Sequence, residues 1–469
     1  MARTATLAAP RGQAPAAAVT APRDAHAVGI HDRAWIIEVL VVANGLLVVG
    51  LWLRHGGASN IAQPGGLSMA VGDVTALVGT YAVLLELLLM SRIEWLERRF
   101  GFDHLAVYHR WTGFSAVFLL AAHAVFTTVG YARSGALSLP AEVSDFVRHY
   151  PDVLMAIVGF ALFVAVGVTS ARAARRRLSR ESWYALHLYA YLAVALSFAH
   201  QLAVGTDLST DAVARAWWVA MYVVVFGSIV VWRVARPVAF NIRHRLFVDS
   251  VRHEADGVVS VYVTGRDLDL IPAEAGQFFL WRFLTRKGWA KAHPFSLSAA
   301  PNGRFLRITI KNLGDDTAQL QRLRPGVRVF AEGPYGTFTG RLRTMRRVAL
   351  IAGGIGITPL RALLEGLPGA PGDITLLYRA QTEGDVAFRK ELRTLAQRRG
   401  VEIHTLIGRE IGNDRTDQLG VPQMRKLVPD IAERDVYLCG PPPMIEALRR
   451  RLASLHVPTA RIHYERFEY

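Results

Sequence analysis

The sequence predicts a multi-domain membrane protein, in which a bundle of six transmembrane α-helices precedes an antiparallel β-barrel and a parallel α/β domain. The 469-residue chain is 52% hydrophobic, which is typical of a protein with membrane spans. The apolar runs that are long enough to cross a bilayer all precede Pro237. After Pro237, short β-type runs give way to strands that alternate with helical segments.

Six apolar runs of about 20 residues each are candidate spans in a lipid bilayer. They cover residues 34–53, 71–90, 104–130, 151–169, 183–204 and 215–235. The first 30 residues are rich in Ala and Pro and lack an apolar segment, so we predict a disordered tail over residues 1–33 and not a signal peptide. A transit peptide is the alternative. The membrane domain is expected to cover residues 34–236.

Basic residues predict the orientation of the spans. The links after spans 2 and 4 contain SRIEWLERRF and ARAARRRLSRES, whereas the other links hold few Lys or Arg. By the positive-inside rule, both basic links, the N-terminus and the chain after span 6 are cytoplasmic, and we expect a bacterial inner (plasma) membrane. Much of the net charge of +16 serves this topology and forms no stripe of the kind that binds nucleic acid. The single cysteine excludes an intrachain disulfide.

Two of the spans carry matched histidines. Span 3 holds His109 near its cytoplasmic end and His123 nearer the outside, and span 5 runs in the same direction with His187 and His200. A rise of about 1.5 Å per residue separates the two histidines of each span by roughly 20 Å. Neutral imidazole is a good axial ligand of heme iron. We therefore predict two stacked b-type hemes, the inner held by His109 and His187 and the outer by His123 and His200.

Alternatives to this interpretation remain open. A single intramembrane histidine is often structural, so the six helices could form a transporter or a passive anchor. The spacing of 14 residues on span 3 returns to one helix face, but the 13 residues on span 5 do not. Span 5 therefore needs a bulge or kink, or its two ligands approach from different angles. Glu86 in span 2 could pair with a basic group, relay protons or snorkel to the interface.

The cytoplasmic part contains two kinds of pattern. The runs VVSVYVTG, QFFLWRFL and FLRITIKN predict a small antiparallel barrel within residues 241–343. The runs RRVALIAGG, DITLLYRA, VEIHTLIG and DVYLCG alternate with helical segments and predict a parallel α/β domain over residues 344–469. In LIAGGIGITPL, glycines follow a strand and precede a helix, where backbone N–H groups can hold a pyrophosphate.

Four motifs carry a family resemblance. HPFSLS at 293–298, EGPYG at 332–336, GGIGITP at 353–359 and CGPPPM at 439–444 follow the membrane histidines in that order. This closely resembles the NADPH oxidase and ferric reductase superfamily, a six-helix heme domain fused to a ferredoxin-reductase-like flavin dehydrogenase. The resemblance covers nearly the whole chain from about residue 34. It implies that hydride passes from NAD(P)H to FAD and that single electrons then cross the two hemes to an acceptor outside.

The resemblance assigns residues to FAD. They are His293, Pro294, Phe295, Ser296, Lys311, Gly314, Thr317, Gly333 and Gly336. Ser296 is expected to hydrogen-bond the flavin ring near its reactive nitrogen, and the stretch RITIKNLGDDT to help cradle the phosphates. The two glycines of EGPYG would permit close backbone approach, although ordinary turns would also explain them.

The resemblance also assigns residues to the nicotinamide nucleotide. They are Gly353, Gly354, Gly356 and Thr358 at the pyrophosphate and Cys439, Gly440 and Pro441 beside the nicotinamide. Arg379 is suitably placed to meet a 2′-phosphate, which favours NADPH. Glu383 and Asp385 could instead bind a ribose, so NADH is the alternative.

The C-terminus HYERFEY ends in aromatic residues. Family members end with an aromatic that covers the flavin until nicotinamide displaces it, and Phe467 and Tyr469 both fit, with Phe467 preferred. Together with Ser296 and Cys439, Phe467 is expected to act at the reacting atoms. As an alternative, the aromatic pair merely docks the terminus to the fold.

The resemblance supports two acceptors, O2, which gives superoxide, and a ferric chelate, which gives ferrous iron. The oxidase branch commonly carries a histidine one helical turn beyond the outer ligand of span 3, where this sequence has Thr127. That departure argues against a dedicated oxygen site. A membrane-anchored flavin reductase, or a quinol or protein reductase serving a partner, is the alternative function.

Overall fold

The computed structural model describes residues 34–286, 288–408 and 417–466. The predicted N-terminal tail lies outside these residues. Within them, six helices are long and apolar enough to cross a membrane, as the sequence predicts. These helices are α1 (Ala34–Arg54), α2 (Gly66–Leu89), α4 (Phe102–Ser134), α6 (Val153–Ser170), α8 (Arg180–Val204) and α10 (Ala212–Val230). The helices between them are α3 (Glu94–Phe100), α5 (Leu139–His149), α7 (Arg172–Arg175) and α9 (Thr206–Thr210).

Glycines bring the membrane helices together in two pairs. A Cβ placed on Gly72 of α2 would lie 2.5 Å from the Thr127 hydroxyl of α4, and one on Gly159 of α6 would lie 2.5 Å from the Ser197 hydroxyl of α8. Small residues at such positions let helix backbones approach closely in a membrane. By comparison, α4 and α8 contact each other far less extensively. The histidines of α4 and α8 therefore lie where one helix pair meets the other.

The sixth span continues beyond its apolar part as one helical rod. After α10, a π-helical turn (Val231–Ala235) leads into α11 (Arg236–His244). On α11, the amide of Asn241 donates to the carbonyl of Ala331 at 2.8 Å and accepts from its N–H at 2.9 Å. His244 is buried, and its Nδ1 lies 2.9 Å from a backbone carbonyl of the next domain. Helix α11 thus fastens the membrane domain to the domain that follows, and it extends beyond the expected boundary at residue 236.

Two three-stranded antiparallel sheets form the first domain after the membrane helices. One sheet has the order β1-β2-β5, and the other has the order β4-β3-β6. The strands are β1 (Phe247–Ala255), β2 (Val258–Thr264), β3 (Phe278–Phe283), β4 (His293–Ser296), β5 (Leu306–Lys311) and β6 (Val329–Tyr335), and a short helix α12 (Asp315–Leu320) follows β5. Single bridges, Phe247 with Arg328 and Leu297 with Ile308, join the sheets. Closure into a complete barrel stays a prediction.

Alternation along β3 explains the core of this domain. Phe279, Trp281 and Phe283 point to one face and are at most 1% exposed. They pack against buried aliphatic residues of the other sheet, such as Val261 and Ile308. Period-two burial of this kind is what a sheet with one covered face requires.

A five-stranded parallel sheet forms the last domain, with the order β11-β10-β7-β8-β9. Its strands are β7 (Val348–Gly353), β8 (Ile374–Ala380), β9 (Glu402–Ile407), β10 (Asp435–Gly440) and β11 (Ile462–Arg466). The helices are α13 (Ile357–Gly366), α14 (Arg389–Arg399), α15 (Val421–Leu427) and α16 (Pro442–Ser454). The strand order reverses between β7 and β10, and ligands of such sheets bind beyond the carboxyl ends of the strands at that point. This confirms the predicted α/β class.

Candidate functional site

The histidines predicted to hold the inner heme face each other. The ring centroids of His109 on α4 and His187 on α8 are 5.9 Å apart, and their planes are nearly perpendicular at 76°. Two imidazoles that bind one iron from opposite sides, each at about 2 Å, have ring centroids about 6 Å apart. The spacing of this pair therefore fits a single iron between the rings.

Protein groups surround the Nδ1 atoms of this pair. The Nδ1 of His109 lies 3.4 Å from a carboxyl oxygen of Glu86, and the Nδ1 of His187 lies 3.3 Å from the hydroxyl of Ser170. The same hydroxyl accepts a hydrogen bond from the indole of Trp183, which stacks on His187 at 4.9 Å. Metal-bound histidines usually direct their second nitrogen to such partners. The arrangement leaves Nε2 of both rings available for iron.

The outer pair shows the same pattern on α4. The Nδ1 of His123 lies 3.0 Å from the carbonyl of Gly72 and 3.1 Å from the hydroxyl of Thr127. Because a carbonyl only accepts, this nitrogen carries the proton and Nε2 is left as the donor for a metal. The Nδ1 of His200 is buried and has no hydrogen-bond partner among the described residues. Helix α8 is an uninterrupted α-helix from Arg180 to Val204, so the bulge considered for span 5 is absent from it.

Sequence reasoning missed several residues around these histidines. Asp73 follows Gly72 on α2 and accepts a hydrogen bond from the indole of Trp52 at 3.4 Å. Trp183 was detectable in principle, because it precedes His187 by four residues and so shares its helix face. Ser170 ends α6, a different span, and nothing in the sequence connects it with His187.

HPFSLS at 293–298 and EGPYG at 332–336 are expected to line the flavin and together form the flavin segment. The first of these motifs presents an unpaired hydroxyl. Ser296 at the end of β4 is 4% exposed, and its Oγ has no hydrogen-bond partner among the described residues. A buried hydroxyl without a partner is costly, so the position fits a hydrogen bond to a ligand. On the same strand, the rings of His293 and Phe295 stack nearly parallel at 5.8 Å, while Pro294 between them is exposed.

The strand register brings the two flavin motifs to one end of a sheet. Phe278 at the start of β3 pairs with Ser296 on one side and with Tyr335 of EGPYG on the other. Gly336 has a φ of 91°, which favours glycine, and a Cβ placed there would lie 3.8 Å from a carboxyl oxygen of Glu465 on β11. A Cβ on Gly333 would meet the ring of Phe279 at 2.7 Å. EGPYG therefore lies between the β-sheet domain and the end of the last strand.

The residues expected at the FAD phosphates are engaged within the protein. The ammonium of Lys311 lies 3.0 Å from a carboxyl oxygen of Asp385 in the α/β domain. Hydrogen bonds from Thr382 and from Lys311 hold the pKa of Asp385 below its usual range. Thr317 donates its hydroxyl to the carbonyl of Gly314 at 2.9 Å. Assignment of these residues to phosphate stays a prediction.

The glycine loop after β7 has the form expected of a pyrophosphate site. A 3-10 turn (Gly354–Gly356) separates the strand from α13. Gly354 has a φ of 55°, and nothing lies within 4 Å of a Cβ placed on it, so this backbone is open to a ligand. At Gly356 a Cβ would clash with the carbonyl of Cys439, which shows how closely the two loops meet. Thr358 is buried and donates its hydroxyl to the carbonyl of Ile355 at 3.0 Å.

The segment expected beside the nicotinamide ends β10. Cys439 is fully buried, and burial raises the pKa of its thiol well above the usual range, with a further contribution from Glu465. Gly440 is also buried and lies against Gly353, whose Cα would be 3.2 Å from an added Cβ. Pro441 is exposed and precedes α16. The thiol of Cys439 is thus a neutral group inside the sheet.

Arg379 has a partner of its own. It is 8% exposed, and its guanidinium lies 3.6 Å from a carboxyl oxygen of Asp417, which Arg451 also contacts at 2.7 Å. To meet a 2′-phosphate, Arg379 would have to leave this buried carboxylate. Its role in choosing NADPH stays a prediction.

Phe467 and Tyr469 lie outside the described residues, which end at Arg466, opposite Gly440 in the sheet.

A junction that the sequence did not predict joins the membrane domain to the flavin segment. The guanidinium of Arg92, between α2 and α3, lies 3.9 Å from the ring of Phe102 and 4.7 Å from that of Tyr335. It also pairs with Glu97 at 2.7 Å. Burial raises the pKa of Glu97, and Arg92 opposes that shift, while burial raises the pKa of Tyr335 to about 12.

A small cleft lies at this junction. Glu94 and Glu97 of α3 line one side of it, and Gln277 and residues 334–337 line the other. Because Gln277 directly precedes Phe278, whose strand neighbours are Ser296 and Tyr335, the cleft adjoins the flavin segment. The N-terminal end of α4, which carries His109, begins at the same junction with Phe102.

Comparisons with known proteins agree with this layout. The family described as "Ferric reductase like transmembrane component" matches residues 75–198, and "Oxidoreductase NAD-binding domain" matches residues 350–450. A flavohemoprotein of Pseudomonas aeruginosa is 30% identical over 56% of this chain and 70% of its own length. Ferredoxin--NADP reductase B of Sorangium cellulosum is 30% identical over 50% of this chain and 94% of its own. The FAD/NAD-binding domain of a Vibrio cholerae nitric oxide dioxygenase is a solved structure with 25% identity and a TM-score of 0.40, over 48% of this chain and 99% of its own.

Fold, motifs and comparisons define a multi-pass membrane oxidoreductase with a cofactor-binding part for FAD and NAD(P)H. The chain belongs to the NADPH oxidase and ferric reductase superfamily, in which a ferric-reductase-like transmembrane domain is fused to a ferredoxin-reductase-type dehydrogenase. Its activity is NAD(P)H-dependent electron transfer.

Proposed function

We propose that this chain is a transmembrane oxidoreductase that passes electrons from cytoplasmic NAD(P)H, through FAD and two stacked b-type hemes, to O2 or a ferric chelate on the outer side. The observation that carries the proposal is the facing pair His109 and His187, 5.9 Å apart, with a second pair of histidines farther along the same two spans. Histidines with a purely structural role would not be expected to occur as two such pairs on the same two helices.

The proposed orientation rests on the basic links after the second and fourth spans. These links, the N-terminus and the dehydrogenase are cytoplasmic in a bacterial inner membrane. The dehydrogenase follows the sixth span on the rod that ends with α11, and Asn241 fastens that rod to β6 through both backbone groups of Ala331. The cytoplasmic nucleotide and the outer acceptor are then on opposite sides of the membrane.

Each part of the chain has a distinct task in this proposal. The bound groups supply a hydride acceptor and one-electron carriers, which no side chain provides. The chain's histidines hold iron through Nε2, because Nδ1 of His109, His123 and His187 faces Glu86, Gly72 and Ser170 respectively. Ser296 orients the flavin ring through its unpaired hydroxyl. The open backbone at Gly354 receives the pyrophosphate of the nucleotide.

The proposal leaves the acceptor as O2 or a ferric chelate. In this chain the hydroxyl of Thr127 lies 3.1 Å from the Nδ1 of His123, so Thr127 supports an outer ligand and supplies no second imidazole. Either acceptor takes single electrons at the outer heme, and neither needs a nucleophile or a hydrolytic base from the protein.

Parallel acceptor assays test the proposal. Purified full-length protein receives NADPH or NADH, and superoxide formation is followed beside formation of a ferrous chelate. We expect at least one product to form, and His200→Ala to abolish it while reduction of the flavin by the nucleotide continues. A matched variant in the same helix, Leu192→Ala at a lipid-exposed position, is expected to retain both activities. Full product formation by His200→Ala would mean that electrons leave the protein before the outer heme, and would overturn the proposal.

A further inference from the structure

A carboxyl group lies next to one of the inner histidines, inside the membrane domain. The side chain of Glu86 on α2 is only 14% exposed, and its Oε1 is 3.4 Å from the Nδ1 of His109. No Lys or Arg pairs with Glu86 among the described residues. An acidic side chain inside a membrane span carries a large free-energy cost, and it is normally retained because it takes part in a functional site.

The neighbouring helix is shaped to receive this carboxyl. Gly113 lies one helical turn after His109 on α4, and a Cβ placed on Gly113 would be 2.8 Å from Oε1 of Glu86. Any larger residue would push the carboxyl out of its position. Gly113 therefore forms a notch that holds Glu86 beside His109, and this observation is independent of the distance between Glu86 and the histidine.

Among the described residues, Oε1 of Glu86 is the hydrogen-bond acceptor that the Nδ1–H of His109 can reach. The Nδ1 of His109 is buried and makes no hydrogen bond among the described residues. Oε1 of Glu86, at 3.4 Å, becomes an acceptor after a small movement of either side chain. A buried N–H without an acceptor is costly, which favours that movement.

The four histidines differ in the polar groups that lie next to their Nδ1 atoms. His109 meets a carboxyl oxygen, His187 a hydroxyl and His123 a carbonyl and a hydroxyl, while the Nδ1 of His200 has no described partner. The strongest acceptor thus belongs to the inner pair. An acceptor at Nδ1 makes the imidazole a stronger electron donor at Nε2, which favours ferric over ferrous iron.

We propose that Glu86 is a positioning residue that acts through His109 to keep the reduction potential of the inner heme below that of the outer heme. Electrons then move outward with a favourable driving force and do not collect at the cytoplasmic side. The inference rests on the proposed function, because it needs both hemes, and it adds a residue that sets the direction of transfer.

Spectroelectrochemical titration of the purified full-length protein tests this role. His200→Ala, which is expected to keep only the inner heme, identifies the inner reduction step. In Glu86→Leu we expect that step to move to higher potential, so that the ratio of reduced to oxidised inner heme at the wild-type midpoint rises about tenfold. The outer step is expected to stay in place. Glu86→Gln keeps a weaker acceptor, so its shift should be smaller in the same direction.

Two glycine variants complete the test. Gly113→Ala displaces the carboxyl while keeping Glu86, and we expect it to shift the inner step in the same direction as Glu86→Leu. Gly167→Ala is the matched control, because the three atoms nearest to its added Cβ all belong to the side chain of Val117, the first at 3.1 Å. It should leave both steps unchanged. If Glu86→Leu loses heme, Glu86→Gln and Gly113→Ala decide the question.

The possible failures are distinguishable. Unchanged inner steps in Glu86→Gln and Gly113→Ala, or a shift of the outer step alone, would overturn the role of Glu86 and leave the proposed function intact. A wild-type protein without b-type heme would overturn the proposed function itself.

Discussion

At the scale of single residues, Cys439 offers a clean test of the α/β domain because it is the only cysteine of the chain. Its thiol is fully buried, and burial raises its pKa, so both access and thiolate formation are suppressed. We expect alkylation of the native protein at pH 8 to be at least about tenfold slower than that of the denatured protein. Mass spectrometry after timed labelling measures this, and equal rates would contradict the burial.

The same raised pKa has a consequence for stability. Because the unfolded thiol loses its proton at lower pH than the folded one, the contribution of Cys439 to stability falls as the pH rises above about 8.5. Because neither serine nor alanine carries a group that ionises in this pH range, Cys439→Ser and Cys439→Ala are both expected to remove this dependence, which denaturant unfolding at pH 7 and at pH 10 would measure.

Ser296 makes a second test at the residue scale. Its hydroxyl has no partner in the described chain, so Ser296→Ala should leave the melting temperature of the flavin-free protein unchanged or slightly raised. With flavin bound, the lost hydrogen bond is expected to slow reduction by the nucleotide about tenfold in stopped-flow experiments. Ser298→Ala is a suitable contrast, because the Ser298 hydroxyl is bonded to Arg307 and Thr309 and its loss should lower stability. A destabilised Ser296→Ala would show that the hydroxyl serves the fold instead.

At the scale of elements, the junction between α3 and β6 depends on Arg92. We expect Arg92→Ala to leave reduction of the flavin by NAD(P)H intact and to slow electron transfer into the hemes by about tenfold or more. The substitution removes the ion-pair partner of the buried Glu97 and the cation that contacts the ring of Tyr335. Anaerobic stopped-flow spectroscopy separates the two steps. Arg346→Ala serves as the control. It removes an ion pair with Asp373 in the α/β domain, and the side chain of Arg346 is 77% exposed. Unaltered heme reduction in Arg92→Ala would exclude a role for this junction.

Elements differed in how far the sequence could predict them. The runs at 34–53 and 183–204 correspond within a few residues to α1 and α8, because a bilayer-length apolar run leaves the backbone no alternative to helix. The continuation of the sixth span through α11 was not predicted, since Pro237 normally ends a helix. A π-helical turn just before Pro237 accommodates the proline ring, and no local sequence pattern predicts that turn.

The histidine pairs were predicted from chain order and depth in the spans, and their assignment to heme iron stays a prediction. His109 and His187 were paired from their depth in parallel spans, and the facing rings agree with that pairing. Arg92 and Ser170 were missed because their contacts, to Tyr335 and His187, join elements that are distant in sequence. Arg379 was chosen from its place after a strand, whereas its partner Asp417 lies 38 residues later and becomes visible only in three dimensions.

At the scale of the whole molecule, two connections hold the dehydrogenase against the membrane domain. The α11 rod fixes one side through Asn241, and Arg92 fixes another through Tyr335. Within the dehydrogenase, buried Arg307 of β5 pairs with Glu391 of α14 at 2.7 Å, which joins the β-sheet domain to the α/β domain. The segments expected to line the flavin contact the membrane domain at Tyr335 and lie close to the α/β domain at Gly336.

In the proposed function, four histidines on α4 and α8 hold two hemes that NAD(P)H reduces through the flavin. A reduced-minus-oxidised absorption spectrum of the purified protein, taken anaerobically with NAD(P)H and calibrated by heme content, tests it most directly. We expect two b-type hemes per chain, both reduced by the nucleotide, and one heme in His123→Ala or His200→Ala. Absence of a b-type spectrum, or two hemes retained in His200→Ala, would contradict it.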